Sequence, residues 1–148
     1  MTLTKKQIQR FLEKVDKSFP VPISEKQNLS EYATKLLSQA TLCCEIENDE
    51  IVSMVAGYTD NLTDALGYVS LVATIEGAQG NGYAKKLIMD FLGICGEKNI
   101  NAVHLYTHIT NEKAIRMYKD LGFEDYVLKN EPRPDDVHLI YRKRGRNV

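Results

Sequence analysis

The sequence predicts one mixed α/β domain in which a pair of helices leads into alternating strands and helices. Three observations carry this reading. Apolar residues recur at helical spacing up to Ala40, β-branched and apolar runs take over from Leu42, and a single-faced helical stripe returns between Ala84 and Cys95 with strand-like runs on either side.

The first helix is predicted from Thr4, where Thr4-x-x-Gln7 forms a capping box and Ile8, Phe11, Leu12 and Val15 make the buried stripe until Pro20 ends it. Pro20 and Pro22 hold an extended link, and Ser30 is the expected cap of a second helix carrying Tyr32, Ala33, Leu36, Leu37 and Ala40. Leu42–Glu47 and Ile51–Tyr58 read as two strands joined by a hairpin at Asn48-Asp49-Glu50. After a polar loop, Thr59–Ala65, the apolar run Tyr68–Thr74 reads as a central strand covered on both faces. Ala84, Leu87, Ile88, Phe91, Leu92 and Cys95 define the next helix. A strand Ala102–Thr107, a helix from about Asn111 to Leu121, a Gly122-Phe123 exit and closing strands near Tyr126–Lys129 and Val137–Lys143 complete the order.

The 148 residues are 43% hydrophobic and 26% charged, a globular composition able to bury a core without disulfides. A net charge of −1 provides no global field for nucleic acid or anionic lipid. The basic cluster Arg142–Arg146 reads as a solvated tail, with nucleic-acid contact as the alternative. Three cysteines, two of them adjacent, build neither a disulfide framework nor a metal-ligand spacing, which fits reduced thiols and a cytoplasmic location. No apolar run approaches the roughly 18 residues needed to span a membrane, and the charged amphipathic start lacks a signal-peptide core, so no membrane partner is expected.

The chemistry is concentrated at Glu76-Gly-Ala-Gln-Gly-Asn-Gly-Tyr-Ala84, between a buried strand and an amphipathic helix. Unpartnered amides and the dipole at a helix start receive a phosphate well, provided the backbone can come close, and Gly77, Gly80 and Gly82 permit that. A Walker loop ending at Gly82 would need Lys and Ser/Thr where Tyr83 and Ala84 stand. A dinucleotide fingerprint from Gly80 would need a small residue where Lys85 stands, and an opening βαβ unit that is missing. What remains is Gln79-x-x-Gly82-x-Ala84, which resembles the Gln/Arg-x-x-Gly-x-Gly/Ala signature of the GCN5-related N-acetyltransferase (GNAT) family; by itself the segment is also compatible with a plain glycine-rich turn.

About thirty residues further on, Asn111-Glu-Lys-Ala114-Ile-Arg-Met-Tyr118-Lys-Asp-Leu-Gly122-Phe123 is similar to a second segment of the same family, in the right order and separation. The resemblance covers nearly the whole chain and implies a mixed, mostly antiparallel sheet of about six to seven strands, flanked by about four helices. It also implies that the sheet is split between the strands ending near Thr74 and Thr107. By that resemblance, acetyl-coenzyme A is the co-substrate, without a metal. Val72, Ala73 and Thr74 offer backbone groups to the pantetheine and thioester, Gln79, Gly80, Asn81, Gly82, Tyr83 and Ala84 hold the pyrophosphate, and Asn111 and Ala114 border the arm. Ala114 and Tyr118 share one helical face, with Asn111 one turn away.

The implied activity is direct transfer of the acetyl group to a primary amine in a ternary complex, with Tyr118 as the acid that protonates the departing thiolate and a backbone N–H near Ala73 stabilising the oxyanion. Outside the family pattern, Tyr118 reads as an aromatic on a buried helix face. The base is open among Glu76, His104, Tyr106, His108 and water, with Tyr68 and Ser70 on the other strand. Two histidines in His104-x-Tyr106-x-His108 fall short of a three-ligand metal site. The acceptor is a small-molecule amine or a protein amine, and Asp60, Asp64, Glu131, Asp135 and Asp136 either favour a cation or are ordinary surface acids. The chain acts as a monomer or homodimer. A non-catalytic acyl-coenzyme A-binding module is the alternative reading.

Overall fold

The computed structural model describes residues 2–60, 62, 64–129 and 133–143; Asn61, Thr63, Glu131 and the part of the basic cluster beyond Lys143 lie outside them. Helices α1 (Lys5–Val15), α2 (Ile23–Lys26), α3 (Leu29–Gln39), α4 (Tyr83–Glu97) and α5 (Glu112–Asp120) flank strands β1 (Thr41–Glu47), β2 (Glu50–Tyr58), β3 (Gly67–Thr74), β4 (Ala102–His108), β5 (Glu124–Asp125) and β6 (Asp136–Arg142). The strands form one six-stranded sheet in the order β1-β2-β3-β4-β6-β5. Among the described residues only β3 and β4 run parallel; the other neighbours are antiparallel.

Local chemistry explains the boundaries. Thr4 caps α1 through the expected box: its hydroxyl accepts from the Gln7 backbone amide at 3.2 Å, and the Gln7 side-chain Oε1 accepts from the Thr4 amide at 2.9 Å. Asn48 and Asp49 both adopt positive φ, 51° and 63°, as a two-residue type I′ hairpin requires. α1 and α3 bury Ile8, Phe11, Leu12, Tyr32, Ala33 and Leu36 against one face of the sheet, here the front. α4 and α5 bury Leu87, Ile88, Phe91 and Tyr118 against the other, the back. Gly57 lets α4 sit that close: a Cβ there would lie 2.4 Å from the Tyr68 carbonyl oxygen and 2.5 Å from the Phe91 ring.

Three boundaries differ from expectation. Asn28, not Ser30, caps α3, its Oδ1 accepting from the Glu31 amide at 3.0 Å, because an Asn carboxamide satisfies that amide as well as a Ser hydroxyl would. The link after Pro22 contains the single turn α2, held by Asp16, whose carboxylate accepts from the Ser24 amide at 2.8 Å and its hydroxyl at 2.6 Å. The strand expected near Tyr126–Lys129 is instead Glu124–Asp125, paired with Ile140 and Leu139. The Tyr126 amide adds one hydrogen bond to the His138 carbonyl, and the chain then leaves the sheet with Val127 largely exposed to solvent.

The feature that positions the site is the short reach of the parallel pair. β3 and β4 match only from Gly67–Val69 to Val103–Leu105. On the β2 side Ala56 opposes Leu71 and Gly57 opposes Val69, so Ser70 is an extra residue, a β-bulge that bends β3 as it leaves β4. β4 keeps its pairing with β6 as far as His108. The sheet therefore opens at the carboxyl ends of β3 and β4, where the split was expected.

Candidate active site

The floor of the site is the turn from β3 into α4. Gly80 and Gly82 hold φ of 88° and 74°, backbone that favours glycine, and Gly82 caps α4 without a side-chain hydrogen bond. The first helical bond runs from the Lys86 amide to the Gly82 carbonyl, so among the described residues the amides from Gly80 to Lys85 have no backbone partner. A Cβ at Gly77, Gly80 or Gly82 would meet nothing within 4 Å, so the loop borders open space. Side chains hold its shape: Gln79 Nε2 donates to the Thr74 carbonyl at 3.3 Å and Asn81 Nδ2 to the Ala78 carbonyl at 3.0 Å. Tyr83 donates its hydroxyl to Glu47 Oε1 at 2.8 Å, and Lys86 is paired with Glu45. These contacts pin the helix start to the end of β1. A diphosphate fits here, because the donors are unpartnered amides on a fixed loop at the positive end of a helix of 15 residues.

Above the floor lies the split, a cavity of about 520 Å³ lined on the β3 side by Tyr68–Val72 and on the β4 side by Leu105–His108. The Ile75 amide bonds the Val52 carbonyl, so Ile75 and, by alternation, Ala73 turn their backbone groups toward β2. Val72 and Thr74 turn theirs into the split. Asn111, just before α5, and Tyr118 within it close the cavity from behind. Asn111 stands outside the helix as its cap, and its Nδ2 donates to Thr107 Oγ1 at 3.2 Å, which ties α5 to the end of β4. Ala114 is half-buried on the back core. Tyr118 is 4% exposed, and burial alone pushes its phenol far above the ordinary value, so it stays protonated.

The front of the same cavity is walled by Phe19, Pro20 and Val21 from the link after α1 and by Arg133–Asp136 leading into β6. A second, more open cavity of about 460 Å³ adjoins it and contains Tyr58, Asp60, Asp64 and His104; Tyr68, Tyr106 and Arg133 border both. The candidate bases separate cleanly here. His104 and Tyr106 face this front space, whereas Glu76 is exposed on the turn after β3 and lines neither cavity. His108 lines the split, with its Nδ1 tied to Thr110 at 2.7 Å in the turn that leads to α5. Asp60 is paired with Lys98 at 3.0 Å, and Asp64 accepts from the Leu66 amide. Asp136 is 3.8 Å from Arg133, and Asp135 lines the split.

Two residues at the front had no signal of their own in the sequence. His138 stands opposite Tyr106 across β4 and β6, the rings 4.0 Å apart and 15° from parallel. Arg133 lies 3.9 Å over the other wall of the Tyr106 ring. Alternation along β6 puts His138 on a face, but only the register pairs it with Tyr106. Cys43 and Cys95 are buried and pushed up to about 11, Cys44 to about 12, so burial keeps all three thiols protonated and unreactive. Among the described residues no three metal-ligating side chains cluster, and no helix is long and apolar enough to cross a membrane.

A split parallel pair above a glycine cradle at a helix start defines the acetyltransferase class to which the sequence was likened. The chain belongs to the acetyltransferase (GNAT) family, whose model matches residues 8–123. N-alpha-acetyltransferase 30 of Schizosaccharomyces pombe is 29% identical over 83 residues, and the chain spans about half the length of that relative, 55% of each being matched. Among solved structures, Arabidopsis thaliana NAA60 in complex with a bisubstrate analogue has a TM-score of 0.76 at 16% identity, covering 99% of this chain and 98% of that one. Aminoglycoside 6'-acetyltransferase type Ii has 0.76 at 14%, covering 96% and 91%. The PaiA N-acetyltransferase of Thermoplasma acidophilum, in complex with coenzyme A, has 0.70 at 11%, covering 96% of both chains. At these identities the solved structures establish a shared fold.

Proposed function

We propose that the chain transfers the acetyl group of acetyl-coenzyme A directly to a primary amine in a ternary complex. The observation that carries this is the continuity of one cavity through the sheet: it reaches Asn111 and Tyr118 at the back and Tyr68, Tyr106 and the Phe19–Val21 link at the front. A donor and an acceptor can thus approach one point from opposite faces.

In this reading the amides of Gly80–Ala84 receive the pyrophosphate, Gln79, Asn81 and Tyr83 keep that loop in place, and Asn111 and Ala114 border the arm. Val72 and Thr74 take the role first expected of all three residues of that strand, because Ala73 spends its backbone groups on β2. Their outward amides are the donors for charge that develops on the carbonyl oxygen, and a fixed amide in a dry cleft stabilises such charge without reorganising. Tyr118 supplies the proton to the leaving thiolate. Its raised pKa is not an obstacle, since the thiolate forms in the same low-dielectric space and its own proton affinity rises with it.

The names of similar proteins suggest two acceptor classes to try first, a peptidic α-amine and a small cationic amine. Thiol release from acetyl-coenzyme A, measured over short peptides with free α-amines, aminoglycosides and aliphatic diamines, tests the proposal. Release that depends on one of these acceptors is expected. Binding of acetyl-coenzyme A with no acceptor-dependent release would leave a non-catalytic binding module instead.

A further inference from the structure

Two imidazoles meet on the front face beside the split. His104 Nδ1 on β4 lies 2.8 Å from His138 Nε2 on β6, a hydrogen bond between neighbouring strands. His138 is 7% exposed, packed between the rings of Tyr106 and Tyr126 at 4.0 and 4.7 Å. His104 reaches the second cavity and lies 5.0 Å from the Tyr68 ring. An apolar pair at these positions would hold the strands together without desolvating two titrating groups. The sequence instead places paired bases at the wall where an incoming amine must lose a proton.

We propose that the His104–His138 pair is the proton acceptor for the amine substrate, His104 facing the acceptor and His138 acting as a positioning residue that holds its partner's ring and shares its charge. The proposal rests on the transfer reading above. At neutral pH a primary amine arrives as an ammonium ion, since its pKa lies well above 7. One proton passes to the imidazole pair and from there to water. The freed nitrogen lone pair forms the C–N bond to the acetyl carbon, the C–S bond breaks as the carbonyl returns, and a second proton leaves the new C–N nitrogen. The thiolate is protonated by Tyr118, which regains a proton from solvent. The sum is one amide, one thiol and one proton released per turnover.

A single imidazole titrates near 6.5, about the value a base needs at neutral pH. Two that share a hydrogen bond take up their first proton more readily than one alone, because the neutral partner accepts from the charged one, and they resist the second. The surrounding charges on this face are mixed. Arg133 over Tyr106, Arg142 over Tyr126 and Lys35 of α3 over Tyr58 oppose a proton on the pair. Asp60 and Asp64 beside the cavity and Asp136 on β6 favour it.

The test is the pH profile of kcat/KM for the best acceptor in the panel, read for the whole chain and for His104→Gln and His138→Gln. The wild type should lose rate as pH falls through one protonation near neutrality. His104→Gln should lower kcat/KM by about 100-fold or more and remove that acid limb. His138→Gln keeps a hydrogen-bonding partner for His104 but not a titrating one. Its acid limb should move to lower pH, with KM for acetyl-coenzyme A unchanged. An acid limb that stays where the wild type has it in both variants overturns the proposal, as does a pH-independent loss in both.

Imidazole NMR titration of the unmodified chain provides a second reading that does not depend on the variants folding. One shared protonation is expected, and two independent titrations at ordinary values overturn the pair. Failure of the transfer reading is distinguishable, because the wild type would then release no thiol with any acceptor.

Discussion

Replacing Tyr118 by phenylalanine removes one oxygen from the centre of the proposed chemistry and leaves the packing nearly untouched. The ring is 4% exposed and lies 5.6 Å from the Phe123 ring, so a phenyl group fills the same space. Burial raises the phenol pKa with no hydrogen-bonding neighbour contributing among the described residues, so the substitution orphans no partner there. Stability should therefore change by less than about 1 kcal/mol. Loss of a general acid is typically worth about 100-fold to 10,000-fold in rate, or about 3 to 5 kcal/mol of transition-state stabilisation. The assay is steady-state thiol release with saturating acceptor, paired with the KM for acetyl-coenzyme A. A fall in kcat within that range with KM near the wild-type value is expected. The raised pKa adds a sign: the acid form is present below it, so the wild type should show no alkaline loss at the ordinary phenol value of about 10. An unchanged kcat in the phenylalanine variant refutes the role.

Three further outcomes test the frame around the site. Gly82→Ala places a side chain at φ 74°, which costs about 1 to 2 kcal/mol in the left-handed region, and directs a methyl into the cradle; denaturant unfolding should show the first and a raised KM for acetyl-coenzyme A the second. Gly57→Ala must push the Tyr68 carbonyl or the Phe91 ring aside, and overpacking of this kind costs about 1 to 3 kcal/mol, read as a lower urea midpoint. Asp16→Asn bears on pH. The two Ser24 bonds hold the Asp16 carboxyl below its ordinary value, so its contribution is present above the unfolded pKa of about 3.9 and is lost as pH falls through the lower folded value. The variant should be less stable at neutral pH, with the two unfolding curves converging in acid.

Much of this architecture is local and could be read directly from the chain. The Thr4 box, the α4 stripe and the Asn48-Asp49 hairpin are decided within a few residues by hydrogen-bonding groups and periodicity, and they stand where expected. The glycine loop belongs to this group as well, because the glycines and the helix start that shape it are consecutive. Short elements such as α2 and β5 escaped, since a single turn held by Asp16 and a two-residue strand carry too little pattern to exceed their surroundings.

The residues determined by themselves a glycine loop at a helix start and the family to which the chain belongs. Tertiary structure decided what surrounds that loop. The bulge at Ser70 ends the β3–β4 pairing at Val69 and opens the cavity through the sheet, and strand alternation turns Ala73 away from it while Val72 and Thr74 face it. Register decided the rest: β4 and β6 bring His104 and Tyr106 together with His138, which lies 34 residues beyond His104. Periodicity along one strand fixes a face, but a partner across two strands is fixed only when both have found their places in the sheet.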